Sequence, residues 1–118
     1  MPKVMIVDDS LFMRNRLTKL LTKHEFETVV ACDGVEAVRV YREARPDVVL
    51  MDITMPRKDG LEALAEIRRF DLASKVIMLT ALDQPQLASQ AILAGAKDFM
   101  VKPVQLGQLL MALRKVLG

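Results

Sequence analysis

A chain of 118 residues, 52% of them hydrophobic, has the length of one domain and enough apolar matter to bury a core between layers of helix and sheet. Its 17 basic and 15 acidic side chains are scattered and nearly cancel, at +2, so no basic block offers a footprint for a nucleic-acid backbone. The single Cys32 argues against a disulfide framework or a cysteine metal cluster, and no apolar run is long enough for a secretory segment or a membrane span. A cytoplasmic protein with no direct nucleic-acid or membrane contact is expected.

The first apolar run, Val4 to Val7, reads as a strand and stops at the acidic pair Asp8-Asp9. Met13, Leu17, Leu20 and Leu21 then share one helical face, with Ser10 as its cap. The second run, Thr28 to Ala31, leads to Asp33 and Glu36, whose spacing is that of a capping box. The third, Val48 to Met51, ends in Asp52; after the loop through Met55, Pro56 and Gly60, the residues Leu61, Leu64 and Ile67 line a third helix. The fourth, Val76 to Leu79, ends in Thr80, with Asp83 and Gln86 again at capping-box spacing and Gly95 suited to a helix C-terminus where φ is positive. The fifth, Phe99 to Val101, ends in Lys102 and Pro103. The last helix carries Leu106, Leu109, Leu110, Leu113 and Val116 on one face and tolerates Gly107 at roughly 1 kcal/mol of helix propensity. The eight methionines fall mostly in these runs, as core filler rather than as a binding groove.

Five strand-helix repeats whose strands are rich in β-branched residues and do not alternate in polarity predict a parallel sheet covered on both faces, an open α/β sandwich. In such sheets functional groups collect beyond the carboxyl ends of the strands. Asp8, Asp9, Asp52, Thr80 and Lys102 all stand there. Each alone is more often a cap, a turn residue or a solvated charge; their succession at four strand ends points to one pocket. Clustered carboxylates repel one another and are stabilised by a hard divalent cation with oxygen ligands. With Asp52 as nucleophile, a cation, Lys102 and Thr80 could each serve one part of a transferring phosphoryl group.

The stretches V-D-D-S at 7–10, D-V-V-L-M-D-I-T-M-P-R-K-D-G at 47–60, M-L-T-A at 78–81, A-G-A-K-D-F at 94–99 and V-K-P at 101–103 resemble the CheY-like family of response-regulator receiver domains, above all its single-domain chemotaxis members. The resemblance implies one receiver domain over residues 1–118, with a doubly wound, flavodoxin-like parallel sheet of order 2-1-3-4-5 flanked by five helices in three layers. It implies that Asp52 takes a phosphoryl group from a CheA-like sensor histidine kinase, in a self-catalysed reaction followed by slow self-dephosphorylation. Mg²⁺, for which Mn²⁺ can substitute, would be held directly by Asp9, Asp52 and the backbone carbonyl of Thr54, and by Asp8 through water. Lys102 would pair with the acyl phosphate, aimed inward by a cis bond to Pro103. Thr80 and Phe99 would be the switch pair, Ala81 would leave room for the phosphoryl group, and Pro56 and Gly60 would shape the loop into the third helix. Thr54 and Leu82 stand where phosphate lifetime is tuned; neither carries a carboxylate or amide to position water, so a durable phosphate is expected.

The output is expected from a monomer, through the face of the fourth helix, fifth strand and fifth helix, where Gln86, Gln90 and Lys97 surround small residues such as Ala91. The flagellar switch protein or another effector would dock there, and Leu11 and Arg14 of the first helix offer a place for the kinase. A phosphorelay intermediate, a receiver excised from a longer transcriptional regulator, or a pseudo-receiver that is never phosphorylated are the alternatives. A haloacid-dehalogenase-type phosphatase would place an acid where Thr54 stands, and a nucleotide- or flavin-binding domain would not open its first loop with Asp8-Asp9.

Overall fold

The computed structural model describes residues 1–81 and 85–118. Strands β1 (Lys3–Val7), β2 (Glu27–Ala31), β3 (Val48–Asp52), β4 (Val76–Thr80) and β5 (Asp98–Val101) alternate with helices α1 (Leu11–Lys23), α2 (Gly34–Ala44), α3 (Gly60–Phe70), α4 (Pro85–Leu93) and α5 (Leu106–Leu117). The sheet is wholly parallel, in the order β2-β1-β3-β4-β5. The winding therefore reverses between β1 and β3, and a crevice opens where their carboxyl ends diverge. Two strands run one residue further than their apolar runs: Asp52 pairs with Leu79 and Thr80 with Val101. Both polar residues are thus held by the sheet rather than by loops.

Alternation along the strands sorts side chains into two cores. Val4, Ile6, Leu50, Ile77, Leu79 and Met100 face Leu17 and Leu21 of α1 and Leu109, Ala112 and Leu113 of α5. Met5, Val7, Val49, Met51 and Met78 face Ala37, Val38 and Tyr41 of α2, Ala63, Leu64 and Ile67 of α3, and Ala91 of α4. Burying each large apolar side chain stabilises the fold by about 1.5–3 kcal/mol. Among the described residues no helix is long and apolar enough to cross a membrane.

The helix starts only partly follow their sequence signals. Ser10 caps α1, accepting from the Met13 N–H at 3.3 Å. Asp33 caps α2, accepting from the Glu36 N–H at 2.9 Å, but the Glu36 carboxylate turns to the Cys32 N–H at 3.2 Å, so the box expected there is half formed. The complete capping box is at α3, between Asp59 and Glu62. Asp83 and Leu82 lie outside the described residues. Gly95 follows α4 with φ +108, and the Arg68 side chain occupies the space a Cβ would need. Gly60 serves close approach instead of a turn: a Cβ there would collide with the Asp52 carbonyl oxygen, while the left-handed residue of the loop is Arg57, at φ 66.

Candidate active site

Asp8 follows β1 directly and is 1% exposed. Its N–H donates to the Ala31 carbonyl at 3.2 Å, its Oδ1 accepts from the Ser10 N–H at 2.9 Å, and its carbonyl accepts from Arg14 at 2.6 Å. Asp52, the last residue of β3, is 7% exposed, whereas Asp9 faces solvent. One carboxylate oxygen from each of Asp8, Asp9 and Asp52 lies within 4.8 Å of the others. Lys102 directly follows β5. Its N–H donates to the Thr80 carbonyl at 2.8 Å, its bond to Pro103 is cis, and its Nζ lies 2.9 Å from Asp52 Oδ1 and 3.1 Å from Asp8 Oδ2.

The electrostatics follow from this inventory. Burial pushes the Asp52 carboxyl up to about 6; the Lys102 ammonium opposes the rise, and the charges of Asp8 and Asp9 add to it. Burial alone would lower the Lys102 ammonium, but Asp52 and Asp8 outweigh it and the net movement is upward. The two directions agree: one shared ammonium strengthens its own protonation yet cannot offset the desolvation of Asp52. Three carboxylates against one ammonium leave an excess of two negative charges, and Asp9 has no ion-pair partner among the described residues. An all-oxygen cluster with that excess fits a hard cation such as Mg²⁺ and would suit neither a soft metal nor a neutral ligand.

The other expected residues are placed as follows. Thr80 is 3% exposed, and its hydroxyl donates to the Ala81 carbonyl at 3.2 Å rather than to Asp52. Phe99 pairs with Met78, two steps back from the Thr80–Val101 pair and so on the same face of the sheet, and is 39% exposed. With Val101, Gln108, Met111 and Lys115 it lines a groove of about 530 Å³ beside α5. Thr54, Pro56 and Ala81 are exposed, and Met55 is buried. Gln86, Gln90 and Lys97 are exposed as expected, but Ala91 belongs to the core and offers nothing to a partner. Arg14 is engaged on the Asp8 carbonyl, and Phe12, which the helical pattern did not single out, is exposed beside Leu11. The sequence reading also missed Arg57, whose guanidinium crosses to Asp33; the two are 24 residues apart, and no local pattern joins them.

A model of the response regulator receiver domain matches residues 4–114. The chain is 48% identical over 116 residues to the chemotaxis protein CheY of Listeria monocytogenes, covering 98% of both chains. It is 46% identical over 117 residues to the CheY of Bacillus subtilis, again covering 98% of both. Among solved structures, the complex of CheX and CheY with BeF₃ and Mg²⁺ from Borrelia burgdorferi contains a chain similar to this one, with a TM-score of 0.93 and 39% identity. The similarity covers 98% of this chain and 89% of that chain.

Proposed function

The chain belongs to the response regulator receiver domain family, and from that premise we propose that it accepts a phosphoryl group on Asp52 from a sensor histidine kinase and switches protein contacts in chemotaxis signalling. The observation that carries the reading is Lys102 Nζ, shared between Asp52 at 2.9 Å and Asp8 at 3.1 Å on the rim of a three-carboxylate cluster. That arrangement holds the nucleophile, a cation for the incoming phosphoryl group and oxygen donors for a metal in one crevice.

In the transfer, an Asp52 carboxylate oxygen bonds to phosphorus as the phosphorus–nitrogen bond of the kinase's phosphohistidine breaks, and the imidazole leaves with the electron pair. A carboxyl titrating near 6 is mostly ionised at neutral pH, and its burial leaves the anion poorly solvated and ready to react. Lys102 follows the charge, exchanging its contact with Asp52 for one with a phosphoryl oxygen while remaining near Asp8. Asp9, Asp52 and the Thr54 carbonyl would hold Mg²⁺ or Mn²⁺ directly, and Asp8 through water; when bound, the ion supplies positive charge to the phosphoryl oxygens.

Thr80, whose hydroxyl rests on the Ala81 carbonyl, is free to turn toward the phosphoryl group, and Phe99 then moves into the space released. The output surface is the one bounded by α4, β5 and α5, with Phe99, Val101 and Met111 exposed upon it. A flagellar switch protein is its proposed partner, and the similarity to two chemotaxis proteins supports that choice. A pull-down with the domain activated by beryllofluoride and Mg²⁺ tests this. Capture of the flagellar switch protein only in the activated state is expected. Capture of a histidine phosphotransferase regardless of activation, or dimerisation on activation, would replace chemotaxis with a relay or a transcriptional role.

A further inference from the structure

We propose that Arg57 and Asp33 form a latch that sets the Mg²⁺ affinity of the Asp8–Asp9–Asp52 cluster by fixing the loop after Asp52 against the N-terminus of α2. The proposal rests on the reading of that cluster as the metal and phosphoryl site. The loop, residues 53–59, is tied near its ends by the Ile53 N–H on the Leu79 carbonyl at 3.0 Å and the Gly60 N–H on the Ile53 carbonyl at 2.7 Å. Its outer turn is tied to α2. Arg57 donates from Nε at 2.8 Å and from Nη2 at 2.5 Å to Asp33 Oδ2, and the Gly34 N–H donates to the Lys58 carbonyl at 3.0 Å.

Three features mark this contact as more than a surface ion pair. The acceptor is fixed before the latch forms: Asp33 is buried, and its Oδ1 accepts from the Glu36 N–H at 2.9 Å. Arg57 sits at φ 66, a conformation that a residue with a Cβ adopts only when its surroundings hold it there. Gly34 leaves no slack, since a Cβ on it would collide with the Lys58 carbonyl. Two residues before Asp33, the Ala31 carbonyl accepts the Asp8 N–H. The short segment from Ala31 to Gly34 therefore touches both walls of the cluster: the one that carries Asp8 and Asp9, and the one that carries Asp52 and Thr54. A metal drawing oxygens from two separate segments is sensitive to their spacing, and contacts that set the spacing tune its affinity. The Arg57 side chain is itself 61% exposed, so the pair adds little to global stability and its effect falls on the site.

Calorimetric titration of the intact chain with Mg²⁺, together with phosphoryl uptake from acetyl phosphate at graded Mg²⁺, tests the latch on the wild type, Arg57→Ala and Arg57→Lys. Arg57→Ala should weaken Mg²⁺ binding about tenfold, the lower end of what loss of an outer contact costs a metal site. The Mg²⁺ concentration for half-maximal uptake should rise in step, while the rate at saturating Mg²⁺ stays unchanged. Arg57→Lys, which keeps the charge, should recover most of the affinity. The metal-free melting temperature should move by less than about 4 °C in either variant, the ceiling for one exposed ion pair. Unchanged Mg²⁺ affinity in Arg57→Ala overturns the latch, as does a loss that Arg57→Lys fails to restore. Failure of the wild-type chain to bind Mg²⁺ or take up phosphoryl overturns the reading beneath it, and appears before any variant is compared.

Discussion

Replacing Asp52 with Asn should make the metal-free protein more stable, and only at the pH values where the carboxyl is ionised. Burial first, and the Asp8 and Asp9 charges with it, move this carboxyl from 3.8 to about 6 against the pull of Lys102. A carboxyl whose folded pKa is raised favours the fold while protonated, below its unfolded pKa. That contribution is lost as pH climbs through the window from 3.8 to about 6. The full loss corresponds to about 3 kcal/mol, and solvent screening at the open edge of the cluster, where Asp9 is exposed, reduces it to about 2 kcal/mol. For a chain of this length 2 kcal/mol is about 8 °C in melting temperature. Thermal melts of wild type and Asp52→Asn in chelator should therefore differ by several degrees at pH 8 and converge near pH 4. Saturating Mg²⁺ should narrow the gap at pH 8 by stabilising the wild type, by about 2.7 kcal/mol at a hundredfold excess over Kd. Equal melting temperatures at pH 8 without metal, or a gap that persists unchanged at pH 4, would refute the electrostatic account of the cluster.

Lys102→Ala should still bind Mg²⁺, and more tightly than wild type because the competing ammonium is gone, but should lose the activated response; calorimetry paired with effector pull-down measures both. Thr54→Asn places an amide in an exposed loop position two residues after Asp52 and should shorten the life of the aspartyl phosphate, read from hydrolysis time courses, by up to about tenfold, the effect of one added hydrogen bond of up to about 1.5 kcal/mol to the attacking water. Gly60→Ala drives a methyl group into the Asp52 carbonyl and should cost about 2 kcal/mol in denaturant unfolding, with phosphoryl uptake falling as the nucleophile shifts.

The strand-end carboxylates were legible because a parallel sheet leaves its chemistry little choice of place: whatever follows Val7 and Met51 must emerge beside the switch point, where β1 and β3 are neighbours. The sheet order itself came from resemblance, since five equivalent strand-helix repeats are compatible with several windings. Contacts between chain segments were harder to read. Glu36 has capping-box spacing from Asp33 yet bonds the Cys32 N–H, a choice between two neighbouring donors that spacing cannot make. Ala91 is small enough to read as surface, and only the packing of α4 on the sheet puts it in the core. Arg57 and Asp33 each look like ordinary loop and cap residues, and their pairing exists only once α2 and the loop after β3 share one end of the sheet.

Intact-mass measurement after incubation with acetyl phosphate and Mg²⁺, followed by peptide mapping, tests the central assignment most directly. A single phosphoryl adduct on the wild-type chain, mapped to Asp52, dependent on the metal and absent from a folded Asp52→Asn, is the predicted result. An adduct of the same stoichiometry persisting in Asp52→Asn, or no adduct on a wild-type chain that binds Mg²⁺, would contradict it.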